Sequence, residues 1–156
     1  MKTTIIAAGK LKEPYWREAC EEYAKRLSAT TTLSVVEVAD RDPQRSTVER
    51  ALQAEGADIL KALPAAQAWV IALTIEGTRY GSEELSAHLE KLKLDGHSHL
   101  CFVIGSSHGL APEVLARANE QLSFGPITLP HNLARVVLLE QLYRAACLAS
   151  GGPYHK

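Results

Sequence analysis

Apolar runs of strand length alternate along this chain with stretches in which apolar side chains recur every three or four residues. The apolar runs predict strands over residues 3–8, 33–38, 68–75 and 99–104. The three- and four-residue spacing predicts helices over 13–27, over 47–63, and from a cap at Ser82 to near Gly96. Strands separated by helices need crossover connections. The pattern therefore predicts an α/β fold, a mostly parallel sheet with helices on both faces.

The C-terminal third continues this alternation. A turn is predicted at 77–81, a short helix after Pro112, a β-like segment at 121–129 broken at Gly125-Pro126, and a long helix over 132–149 capped by Asn132. The long helix is apolar over most of its circumference, including Leu139 and Leu142, and such a helix must be buried on more than one side. In a domain this small a second copy is the expected cover, so the sequence predicts a homodimer.

Composition limits the class of protein. At 156 residues the default is a single domain, 1–156, and a net charge of -1 excludes a uniformly basic nucleic-acid coat. No apolar run approaches the ~18 residues that a membrane span needs, so no membrane partner is expected. The three cysteines are far apart and lack a CxxC pair, which excludes a disulfide scaffold and favours a reducing cytoplasm.

Sites in parallel α/β folds collect where the strands end. The segments there are 73–77, 104–109 and 124–126. Residues 105–109 (Gly-Ser-Ser-His-Gly) match the G-x-S-x-G form of a nucleophile elbow, with Ser107 as nucleophile. However, no Asp follows Asp95, and the chain is short for such a hydrolase. We therefore favour a glycine-rich turn that brings backbone amides near a ligand.

Other common sites find little support. His97 and His99 alternate as metal ligands can, but nothing supplies the surrounding partners that a metal site needs, so no metal is expected. Neither G-x-G-x-x-G nor G-x-x-x-x-G-K-[ST] occurs. Trp16 and Trp69 sit in periodic apolar surroundings and are interpreted as core residues.

The last helix and the tail carry the clearest polar signals. Arg135 lies on the helix face opposite the polar sector formed by Glu140, Gln141 and Arg144. An arginine there could hold phosphate with its planar fork, whereas Glu140 and Arg144 have the spacing of an ion pair. The chain ends Tyr154-His155-Lys156, residue types that can stack on a base and contact phosphate.

Several separated segments together resemble one family. They are 7–12 (Ala-Ala-Gly-Lys-Leu-Lys), 103–110 (Val-Ile-Gly-Ser-Ser-His-Gly-Leu), 122–124, 128–131 (Thr-Leu-Pro-His), 135–145 and the ending 153–156 (Pro-Tyr-His-Lys). In this order and end to end they are similar to the RlmH family, small bacterial SPOUT-class methyltransferases that methylate N3 of a pseudouridine in large-subunit ribosomal RNA. The family usually has glycine where Ser106 stands and a small or acidic residue where His108 stands.

The resemblance implies a C-terminal trefoil knot, a homodimer and S-adenosylmethionine held mainly by the backbone of three loops. The implied cofactor-binding residues are Leu73, Gly105, Phe124, Gly125, Pro126, Ile127, Thr128 and Leu129. Ser106 fits the donor loop if its φ is negative. The implied partner is 23S ribosomal RNA within the large subunit or the assembled ribosome, and not DNA.

Functional roles follow from the resemblance together with the residue types. Arg144, His155 and Tyr154 are the expected catalytic residues: Arg144 and His155 lie near the base, with His155 able to accept its proton, and Tyr154 stacks. The expected RNA-binding residues are Arg135, His131 and Lys156. Arg144 is too far from its own tail unless the chain doubles back, so the tail is expected to complete the partner subunit's site. The alternatives are a Ser107-dependent hydrolase and a non-catalytic ribosome-binding module.

Overall fold

A computed structural model describes residues 1–65 and 67–154. The strands are β1 (Lys2–Ala8), β2 (Thr32–Val38), β3 (Trp69–Arg79), β4 (His99–Ile104) and β5 (Glu120–Ser123). They form one five-stranded sheet in the order β2-β1-β4-β3-β5, parallel throughout. The helices are α1 (Pro14–Leu27), α2 (Val48–Ala62), α3 (Ser82–Leu94), α4 (Pro112–Arg117) and α5 (His131–Ala149). The predicted α/β class and parallel sheet are confirmed.

Both faces of the sheet are covered, as the unalternating strands predict. On β4, Leu100, Phe102 and Ile104 point into a core shared with α1, α3 and α5. Cys101 and Val103 point into a second core shared with α2 and α4. Every residue of β4 after His99 is buried, because each face of the strand meets a helical layer.

Two strand boundaries differ from the predictions. The predicted turn at 77–81 is wrong for its first part, because β3 continues to Arg79. The β-like segment predicted to reach 129 ends as a strand at Ser123, and residues 124–130 form a loop. Within β3, Leu73 and Thr78 are both opposite Leu122, so that residues 74–77 are looped out of the ladder.

Gly77 explains why this loop can form. A Cβ built on Gly77 would lie 2.7 Å from the backbone carbons of Gln121 and Leu122, a distance that no side chain tolerates. The absence of a side chain therefore lets β3 approach the backbone of β5 directly.

Helix α5 lies on the sheet between α1 and α3. Its buried side is formed by Ala134, Arg135, Leu138, Leu139, Leu142 and Ala145. The helix begins at His131 with Pro130 in the capping position, so the predicted cap at Asn132 is wrong; the Asn132 Oδ1 accepts a bond from the Leu133 amide instead. Within the described part of the chain, no helix is both long and apolar enough to span a membrane.

Candidate active site

Three loops leave neighbouring strands at the carboxyl edge of the sheet. β4 and β5 both pair with β3, and the loops are those after Ile104, at 74–77 and at 124–130. Leu73, Phe124 and Leu129 are half-buried there and pack against the first core, whereas Ile127 is 71% exposed. The residues expected to hold the cofactor thus follow three adjacent strands and meet at one edge.

A buried hydroxyl ties two of these loops together. Ser123 is 4% exposed, and its Oγ donates to the Ile75 carbonyl at 2.7 Å. The same Oγ accepts a bond from the Gly125 amide at 3.0 Å. Sequence reasoning missed Ser123, because a single serine at a strand end carries no signal of its own.

The turn after β4 is closed on itself. The Gly109 amide donates to the Ser106 carbonyl at 2.9 Å, and a Cβ on Gly105 would lie 2.3 Å from the Gly109 oxygen. The turn itself therefore requires glycine at position 105. A ligand would depend on Gly105 only through the shape of this turn. No residue other than glycine has a positive φ among those described, so Ser106 fits this turn as expected.

The hydrolase interpretation finds no support in the geometry. A nucleophile elbow holds its serine on a strained turn, but Ser107 has a negative φ and is exposed. Within residues 1–65 and 67–154, no hydrogen bond joins Ser107 to a histidine. The neighbouring Ser106 donates its hydroxyl hydrogen to Glu55 instead.

A second polar group lies on the outer side of α5. The Arg144 guanidinium donates to the Glu140 Oε1 through Nε at 3.0 Å and Nη2 at 2.6 Å, which confirms the predicted ion pair. This hydrogen-bonded carboxylate raises the pKa of Arg144, which therefore stays charged. The Arg144 Cζ lies 4.8 Å from the centre of the Tyr154 ring, in cation–π geometry.

The tail reaches Arg144 because the chain doubles back after α5. The Gly152 amide donates to the Cys147 carbonyl at 2.7 Å and turns the chain toward the helix. The Tyr154 ring then packs edge-on against Tyr143, with 4.7 Å between ring centres. Arg144 and Tyr154 thus meet within one chain, which corrects the expectation that Arg144 and this residue of the tail come from different subunits.

Two residues of α1 complete this cluster, and sequence reasoning missed both. A hydrogen bond with Tyr23 raises the pKa of Tyr154 to about 12, so the Tyr154 phenol stays protonated near neutral pH. The Arg26 Cζ lies 5.4 Å from the Tyr23 ring centre and 5.6 Å from that of Tyr143. We call Tyr23, Arg26, Tyr143, Arg144 and Tyr154 the arginine–tyrosine cluster.

Arg135 has a different environment from the one expected. Its side chain is 2% exposed, donates to the Glu37 Oε2 at 2.7 Å and donates to the Gly9 carbonyl at 3.0 Å. The guanidinium joins α5 to the ends of β1 and β2, and too little of it is exposed to hold a phosphate. We therefore correct its role from RNA binding to structural support.

The remaining predicted RNA-binding residues are differently placed. His131 begins α5 and is half-buried, with its ring against Gly9. His155 and Lys156 lie outside the described residues.

Of the histidines considered as metal ligands, His97 packs against Trp69, with 4.2 Å between ring centres, and the His99 Nε2 is 2.9 Å from the Thr4 hydroxyl. No group of three potential metal ligands lies together in the described part of the chain.

The carboxyl-edge loops and the arginine–tyrosine cluster are far apart within one chain. Arg144 is thirteen residues after His131, which corresponds to ~20 Å along the axis of α5. Ala145, beside Arg144, lines a small cavity with Met1 and Leu100 at the amino edge of the sheet. Gly105 is five residues beyond Leu100 along β4, or ~16 Å.

The carboxyl-edge loops combine half-buried apolar side chains with nearby backbone polar groups. Half-buried apolar side chains at Leu73, Phe124 and Leu129 can contact a base or another flat apolar group. The turns at Gly105 and Gly125 leave backbone groups close to the same edge. In parallel α/β sheets ligands bind at the carboxyl ends of the strands, so the fold and these loops define an α/β ligand-binding protein. The chain belongs to the SPOUT methyltransferase family, since a family model described as a predicted SPOUT methyltransferase matches residues 1–155.

Full-length relatives narrow the family further. A protein from Rubrobacter xylanophilus is 51% identical over 156 residues, covering 99% of this chain and 98% of the relative. A protein from Bifidobacterium adolescentis is 48% identical and one from Listeria monocytogenes 46% identical, each over the whole of both chains. All three are named ribosomal RNA large subunit methyltransferase H.

Proposed function

We propose that this chain is an S-adenosylmethionine-dependent methyltransferase acting on N3 of a pseudouridine in 23S ribosomal RNA. The observation that carries the proposal is the set of three adjacent strand-end loops in a chain whose relatives are named large-subunit ribosomal RNA methyltransferases. Its three cysteines are free, in keeping with a cytoplasmic location, where ribosomes are modified. The trefoil knot implied by the family is part of the same proposal.

The loops fit the proposed cofactor. Leu73, Phe124 and Leu129 would contact its adenine, while the backbone around Gly105 and Gly125 would bind its polar groups. Bound there, S-adenosylmethionine would supply an electrophilic methyl group carried on a sulfonium sulfur.

The arginine–tyrosine cluster supplies groups suited to the nucleophile. The attacking ring nitrogen carries a weakly acidic proton, which must leave as the new N–C bond forms. Arg144, permanently charged, would stabilise negative charge on the ring, and His155 would accept the proton. One face of Tyr154 is covered by the Arg144 guanidinium, so a base would stack on the other. His131, near the donor edge, and Lys156, in the tail, would contact the RNA backbone.

Two copies of the chain are needed to bring these groups together. Within one chain Ala145, next to Arg144, lies beside Leu100, and Gly105 is ~16 Å further along β4, whereas methyl transfer needs the reacting atoms in contact. From His131 to Leu148 no residue of α5 is fully exposed, yet its outer side carries Leu133, Val137 and Cys147. We propose an antiparallel pairing of two α5 helices that sets the cluster of one subunit beside the donor loops of the other.

The dimer can be tested at Val137. This side chain is half-buried and lies on the outer side of α5, so Val137→Arg should give a folded monomer, because the new charge would meet its own copy across a two-fold axis. Sedimentation velocity checks the mass and circular dichroism checks the fold. By contrast, Leu139 is 1% exposed inside one chain, so Leu139→Glu should unfold the protein, at a cost of about 3–5 kcal/mol. A monomeric wild-type protein at micromolar concentration would contradict the dimer.

The donor site can be tested at Gly105. Gly105→Val should abolish S-adenosylmethionine binding, because the added side chain would collide with the Gly109 carbonyl and reshape the turn. Calorimetric titration measures the binding, and thermal unfolding checks that the sheet survives. Wild-type affinity in a folded variant would remove this turn from the donor site.

The reaction itself is tested by mass spectrometry of nucleosides from 23S ribosomal RNA. RNA from cells lacking the protein should contain a pseudouridine that the purified protein converts to its N3-methyl form when S-adenosylmethionine is added. Offering free RNA, large subunits and whole ribosomes in parallel identifies the substrate particle. A non-catalytic ribosome-binding module would bind the particle, give no heat with S-adenosylmethionine and leave every nucleoside unchanged.

A further inference from the structure

A buried carboxylate on α2 lies directly behind the turn that follows β4. Glu55 is 3% exposed, and both of its oxygens accept hydrogen bonds. Oε1 accepts from the Ser106 hydroxyl at 2.6 Å, and Oε2 accepts from the Arg41 amide at 2.7 Å. A buried carboxylate is tolerated when its oxygens are satisfied in this way.

These two bonds connect separate loops at the carboxyl edge. Ser106 belongs to the turn after β4, and Arg41 belongs to the loop between β2 and α2. The Arg41 side chain is anchored separately, since its Nη2 donates to the Asp58 Oδ2 at 2.7 Å. The Glu55 side chain therefore bonds to both loops, whereas that of Asp58 bonds to one of them.

Close packing beside Glu55 holds α2 against the end of this turn. A Cβ on Gly56 would lie 2.7 Å from the Ala111 Cβ, so the helix backbone approaches the segment that leaves the turn. Within the turn itself, the Gly109 amide bonds to the Ser106 carbonyl. The bond from Ser106 to Glu55 then joins the closed turn to a fixed helix.

We propose that Glu55 is a positioning residue for the methyl donor: acting through Ser106, it fixes the turn that contains Gly105. This inference rests on the proposed function, because it assigns the turn to the S-adenosylmethionine site. Glu55 contacts the turn from helix α2, through the Ser106 hydroxyl, and is not a catalytic residue. Its effect is to reduce the number of conformations that the turn must lose when the donor binds.

The test compares variants at the two ends of the hydrogen bond. Ser106→Ala leaves the Glu55 Oε1 without its donor and should weaken S-adenosylmethionine binding by about tenfold in a calorimetric titration. Glu55→Gln should stay within about threefold of wild type, because its amide can donate to the Ser106 oxygen while its carbonyl accepts from Arg41. In the double variant Glu55→Gln should add no further loss to that of Ser106→Ala, because the hydroxyl through which residue 55 acts is already absent. Asp58→Asn is the matched control, with wild-type affinity expected.

Kinetics separate positioning from general stabilisation. In Ser106→Ala the KM for S-adenosylmethionine should rise by the same factor as the Kd, while kcat at saturating donor and the KM for RNA stay unchanged. A fall in thermal stability with an unchanged Kd would overturn the proposal, as would a further loss of binding by about tenfold when Glu55→Gln is added to Ser106→Ala, because Glu55 would then act by another route than Ser106. Failure of the proposed function is recognised separately, because wild-type protein would then give no heat with S-adenosylmethionine.

Discussion

Removal of Tyr154, His155 and Lys156 should abolish methylation of ribosomal RNA while S-adenosylmethionine still binds with nearly wild-type affinity. Tyr154 contacts Tyr143 and Arg144, and Ala145, next to Arg144, lies beside Leu100, ~16 Å before Gly105 along β4. Loss of a stacking ring, a proton acceptor and a cation together should lower kcat by at least ~100-fold. Methyl incorporation into ribosomal particles and calorimetry with S-adenosylmethionine measure the two effects.

Point variants divide the loss among the tail's groups. Tyr154→Phe keeps the ring over which Arg144 lies but loses the hydrogen bond to Tyr23, so it should retain more activity than Tyr154→Ala. Tyr15→Ala is a control, because Tyr15 is a 61% exposed aromatic residue of α1 whose ring contact is with Trp16. Full activity of the truncated protein would remove the tail from the mechanism.

The periodicity of the sequence was sufficient to predict most elements of the fold. Strand β4 has the predicted bounds, α1 begins one residue later than predicted, and α2 is one residue shorter at each end, because apolar spacing reflects which side of each element faces the core. The extension of β3 to Arg79 was not predictable in this way. It depends on Gly77 lying against the backbone of β5, a contact between segments more than forty residues apart.

Polar residues were harder to interpret, because their partners are distant in sequence. On a helical wheel Arg135 lies away from the other polar residues, and this position alone does not distinguish an exposed phosphate contact from a buried ion pair. Its partner, Glu37, is 98 residues earlier in the chain. Tyr23 and Arg26 are likewise separated from Tyr154 by most of the chain, so no local pattern connects them to the tail.

If each active site combines the donor loops of one subunit with the arginine–tyrosine cluster of the other, a dimer of two different inactive chains should regain activity. One chain carries Gly105→Val, and the other carries Arg144→Ala; neither homodimer should be active. With two affinity tags the heterodimer can be purified, and about half of the wild-type activity should return, because one of its two sites combines the intact donor loops of one chain with the intact cluster of the other. If each site were built within one chain, the heterodimer would be inactive.

A second heterodimer supplies the control for this result. Arg144→Ala paired with a chain lacking residues 154–156 should stay inactive, because Arg144 and Tyr154 meet within the same chain and each site then has one damaged cluster. Recovery in this pair would mean that the tail crosses to the partner subunit in the active dimer. We expect activity to return in the first heterodimer and not in the second. That result would show that Arg144 and Tyr154 act within one subunit, and that the donor loops of the same active site belong to the other subunit.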